Sequence, residues 1–177
     1  MKALQLAVPL LVSLACSSAF AQKIDQPEAN ARLTQVLTCK RNVSLEQFEA
    51  LVKAANGKAI VRASAIDDGE YTVPNPLDVY GRPVTQLSLH PGANGEGDFN
   101  GYGGAFSGES LQTVAKLAGI AKDEVGDYKQ VVGNHDLWLY EDSGSTYINC
   151  SYDVRTVTKT IKSKAREAAD AVKRATQ

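Results

Sequence analysis

The chain has two imidazoles, His90 and His135. A histidine acts as a general base when a carboxylate orients it, and Gly133-Asn134-His135-Asp136 puts such a carboxylate next to one in sequence. The same four residues suit a turn between two strand-like runs, and the turn is the reading they favour. A serine or cysteine nucleophile would need one of these histidines close by. No Gly-x-Ser-x-Gly elbow occurs. A small hydrolase using His135 is therefore the last of three functional classes. Two histidines without a nearby acidic set make a poor zinc site, so no catalytic residue and no metal are expected.

The second candidate is "PGANGEGDFNGYGGAFSG", from Pro91 to Gly108, in which seven of eighteen residues are glycine. A dinucleotide fingerprint requires G-x-G-x-x-G between a strand and a helix. Gly95-x-Gly97 runs on to Asn100 and Gly101-x-Gly103 runs on to Phe106, so neither completes it. There is no Walker lysine. Asp98 and Asn100 start a calcium-loop spacing that Tyr102 breaks. No cofactor is expected. Two uses remain: glycines in strands where a neighbour needs room, or an exposed loop whose aromatics touch a partner; a β-hairpin with a protruding tip is the form expected. On the second, Phe99, Tyr102 and Phe106 are the expected partner-binding residues, because aromatics on a polar, glycine-rich frame suit protein recognition.

Residues 1–21, "MKALQLAVPLLVSLACSSAFA", have a lysine, an apolar run and a small-x-small ending. That is the pattern of a secretory signal peptide, with cleavage expected after Ala21. The residues before Cys16 stand in the wrong order for a lipobox. Cleavage leaves Cys39 and Cys150, and a lone pair in an oxidising compartment predicts one disulfide. The expected location is the periplasm or outside the cell. The apolar run is too short for a transmembrane segment.

Cleavage at that point leaves 156 of the 177 residues, enough for one domain with its own core. Residues 22–154 carry eleven basic and eighteen acidic side chains, a balance of −7. Residues 155–177 carry seven basic and two acidic, a balance of +5. An acidic body does not attract nucleic acid. It can attract a basic protein.

Helical spacing appears at Leu33, Val36 and Leu37, then at Leu45, Phe48, Leu51 and Val52. Ser44 and Gln47 form a capping-box pattern before the second helix, and Gly57 is a natural stop after it. Strand-like runs follow, with Asp68-Gly69 suited to a tight hairpin turn, Val84, Leu87 and Leu89 nearly alternating, and Pro83 signalling an edge or a break. Ser110, Leu111, Val114 and Leu117 repeat Ser44, Leu45, Phe48 and Leu51 at an offset of 66 residues. Three more strands are expected after them: "YKQVVG", "DLWLYED" and "TYINCSYDV". Residues 155–177 read as a basic terminal helix with a narrow, alanine-rich stripe. The fold class is α+β, with helices packed on an antiparallel sheet in two helix-then-meander halves.

From Ser110 to Val154, and again over residues 44–90, this order resembles the small αβ modules of bacterial envelope assembly lipoproteins. It also resembles the tandem modules of a secreted β-lactamase inhibitor protein. The resemblance is one of architecture and implies no residue roles. The function expected is a secreted protein-binding domain, an inhibitor or immunity-type protein of an envelope-acting enzyme. The alternative is an envelope assembly or scaffold component.

Overall fold

The computed structural model describes residues 24–64, 67–92 and 99–153. The expected signal peptide and the expected terminal helix at 155–177 lie outside them. The chain begins with α1 (Gln26–Leu37) and α2 (Leu45–Ala54). Four strands follow: β1 (Lys58–Val61), β2 (Gly69–Val79), β3 (Arg82–His90) and β4 (Phe99–Phe106). Then come α3 (Leu111–Ala118), β5 (Tyr128–Val132), β6 (His135–Asp142) and β7 (Ser145–Asp153). All seven strands join one antiparallel sheet in the order β1-β2-β3-β4-β7-β6-β5. The α+β class is as the sequence predicts, and the two meanders meet where β4 pairs with β7.

The helix starts follow their capping residues. Asp25 accepts from the Glu28 N–H at 2.9 Å. Ser44 and Gln47 form the predicted capping box. Ser110 accepts from the Thr113 N–H. The helix ends share one device, in which a left-handed residue turns the chain and two N–H groups satisfy late carbonyls. Gly119 takes that position after α3, at φ 70°. After α2 it is Asn56, at φ 58°, and not the expected Gly57. Gly57 N–H bonds the Val52 carbonyl at 2.8 Å, and a Cβ on Gly57 would lie 2.6 Å from Val52 Cγ1. After α1 the left-handed residue is Cys39, at φ 57°. Its Sγ is bonded to Cys150 on β7, so the predicted disulfide closes across 111 residues.

Two strand expectations need correction. Asp68-Gly69 is not a hairpin turn: residues 62–68 connect β1 to β2, and Gly69 opens β2. The tight turn is Tyr80-Gly81, both at positive φ, between Val79 and Arg82. Ser143-Gly144 repeats it between β6 and β7. Mirror-image turns of this kind match the twist of paired strands. Pro83 does not mark an edge, since β3 lies between β2 and β4. It sits one residue before β4 begins to pair, at Val84, so its missing N–H interrupts no ladder on that side. A bulge between Val84 and Gln86 shifts the phase of β3. That is why Val84 and Leu87, an odd number of residues apart, are both buried.

The core lies between the helices and one face of the sheet. Phe48 of α2 meets Tyr71 edge-on at 6.0 Å and Tyr102 at 5.0 Å between ring centres. Val114 and Ala115 of α3 complete it over β6. Leu117 does not repeat the burial of Leu51 and is 48 % exposed.

Candidate functional site

The glycine-rich stretch is resolved first by its strand. The predicted hairpin exists, as β3 paired with β4, with 93–98 outside the described residues. Tyr102 and Phe106 are not contact residues: each is 1 % exposed. Alternation along β4 turns both rings to the helices. Tyr102 donates its hydroxyl proton to the Val43 carbonyl at 2.6 Å, beneath the α1–α2 connection. Gly104 lies on the same face, where a Cβ would come 2.8 Å from Val84 Cγ1 and 3.2 Å from Leu37 Cδ1. Phe99 pairs with Asp153 at the start of β4; its side chain lies outside the description.

The opposite face of β4 presents Gly101, Gly103 and Ala105. They form the floor of the sheet face that no described helix covers. The register places the rest. One row across the sheet reads Glu70, Ser88, Gly103, Asn149, Trp138 and Lys129. A neighbouring row brings Gln86, Ala105, Tyr147 and Tyr140 together. The face therefore has an aromatic side on β6 and β7 and a polar side on β2 and β3. Trp138 and Tyr140 lie 5.3 Å apart, and Tyr140 stacks on Tyr147, also at 5.3 Å. Trp138 is 41 % exposed, a large fraction for the chain's one tryptophan.

This face is concave. Glu70 and Tyr147 line one hollow of about 140 Å³ with Ile60, Gln86, Ser88 and Ala105. Three strand steps separate Glu70 from Tyr147, roughly 14 Å on a flat sheet, so the sheet's curl brings the two sides together. Partial burial holds the Tyr140 phenol above its ordinary value, and Tyr147, Asp142 and Asp68 push it the same way. Asp68, beside β2, is thus within electrostatic reach of a phenol on β6.

The histidines divide differently from their sequence neighbours. Asp136 is held by Lys129 at 3.3 Å, and His135 is the first residue of β6 after the Gly133-Asn134 turn. The carboxylate–imidazole pair is Asp68–His90, with Oδ2 2.7 Å from Nδ1. Nothing in the spacing announces it; the β2–β3 register creates it. Ser88 shares this strand face with His90, but its Oγ turns across the strand into the space left by Gly103, 2.1 Å from where a Cβ would be. Among the described residues no group of three or more His, Cys, Asp or Glu side chains could hold a metal ion. No described helix is long and apolar enough to cross a membrane.

Comparison with family models, curated proteins and solved structures returned no match.

Proposed function

We propose that the mature chain is a secreted, periplasmic or extracellular, protein-binding domain whose concave sheet face docks a partner. Its role on this reading is that of an inhibitor or immunity-type protein that occludes an enzyme acting on the envelope. The observation that supports this is the cluster of exposed Trp138 with half-buried Tyr140 and Tyr147 on a sheet face uncovered by any described helix. Tryptophan and tyrosine are the side chains that most often dominate binding energy. The Cys39–Cys150 bridge fits an oxidising compartment.

The test is site-directed photo-cross-linking in the periplasm. A photoreactive residue at position 138 is compared with one at position 117, exposed on the helix side. A discrete protein adduct from 138 and not from 117 is the expected result. A soluble enzyme in that adduct supports the inhibitor role, and an envelope assembly component moves the reading to a scaffold. Equal adducts from both positions, or none, remove the concave face as the recognition surface.

A further inference from the structure

Resting on that reading, we infer that the groove receives a cationic, arginine- or lysine-bearing segment of the partner polypeptide. Its two sides share one preference. The aromatic side offers the faces of Trp138, Tyr140 and Tyr147, which attract a guanidinium or ammonium group as well as apolar surface. The opposite side offers the carboxylates of Glu70 and Asp68, both exposed. Arginine satisfies both, with its planar cation against a ring and its N–H fork toward a carboxylate.

The cations of the same face lie at its margins. Lys129 on edge strand β5 is held by Asp136, and Lys58 stands on edge strand β1, opposite Thr72. His90 is engaged with Asp68 through Nδ1. The middle, between Glu70 and Tyr147, holds Gln86, Ser88 and Ala105, with no cation among the described residues. The balance of −7 over residues 22–154 extends the preference to approach, steering basic partners and repelling acidic ones.

Trp138 is the chain's one tryptophan, so its emission reports this face alone. The mature chain is titrated with three peptides free of aromatic residues: alternating Gly-Arg, Gly-Glu and Gly-Ser. A second version carries glutamine at all seven basic positions of 155–177, so that the chain's own cations cannot occupy the groove. The expected result is a saturable change with Gly-Arg in that version. It weakens about fivefold or more in the Asp68→Asn, Glu70→Gln double variant and falls further as salt rises. The inference is overturned if Gly-Glu or Gly-Ser acts as well as Gly-Arg, if no peptide acts, or if the double variant binds unchanged. A position-138 adduct in the cross-linking experiment without cationic preference here would remove the inference and leave the docking face standing. Failure of both experiments removes both.

Discussion

Tyr102 shows at the scale of one side chain how a contact-like residue becomes a structural one. Its ring fills the core against Phe48, and its hydroxyl reaches the Val43 carbonyl. Buried tyrosines of this kind need a partner for the polar end. Tyr102→Phe keeps the ring and removes the bond from a buried carbonyl, so it should destabilise by about 1–2 kcal/mol. Chemical denaturation measures this, and an unchanged midpoint would refute it. Tyr71 uses the same device at the core's border. Its hydroxyl donates to Glu49 at 2.8 Å, and burial together with that carboxylate holds the phenol up to about 12. Cys39 combines strain with a tether. A left-handed non-glycine residue costs roughly 1–2 kcal/mol. Closing 111 residues of chain offsets this by about 4–5 kcal/mol in the chain-entropy model.

At the scale of elements, β4 is the strand whose two faces do different things. Gly104 allows Leu37 and Val84 to close over the core, while Gly103 makes room for Ser88 Oγ on the open face. Gly104→Ala should cost about 1–3 kcal/mol, since packed side chains must shift. Gly103→Ala should cost less than about 1 kcal/mol, because the Ser88 hydroxyl can rotate away and alanine suits a strand better than glycine. Thermal melts of the two variants should differ in that order, and the reverse order would contradict the assignment of faces. The helices were legible in the sequence because their caps and stripes are local: Ser44 caps with Gln47 as the pattern predicts, and Ser110 repeats the N-cap. The disulfide was legible because cleavage of the expected signal peptide leaves two cysteines for an oxidising compartment. The fate of the aromatics in the glycine stretch was not, because a β-hairpin at this stretch leaves open whether Phe99, Tyr102 and Phe106 face a partner or the core. Only pairing with β3 and β7 turns Tyr102 and Phe106 inward. The aromatic face was missed for a similar reason. Trp138, Tyr140 and Tyr147 lie on two strands and meet only through the β6–β7 register.

At the scale of the whole molecule, the two meanders form one sheet that the described helices cover on one side and leave bare on the other. The capping serines 66 residues apart and the Tyr80-Gly81 and Ser143-Gly144 turns repeat one local plan in each half. Joining at β4–β7 places the second half's aromatics opposite the first half's carboxylates, and neither half alone has both sides of the groove. On the proposed reading recognition belongs to this face, while Tyr102 and Phe106 of β4 serve the fold. Paired melting and binding measurements on Trp138→Ala and Phe106→Ala test it most directly, using the partner identified by cross-linking. Trp138→Ala should leave stability within about 1 kcal/mol, as an exposed position allows, and weaken binding by about 2 kcal/mol or more. Phe106→Ala should lose roughly 3–5 kcal/mol of stability, with unchanged affinity in the fraction that remains folded. Unchanged binding in Trp138→Ala, or lost affinity in folded Phe106→Ala, would contradict the claim.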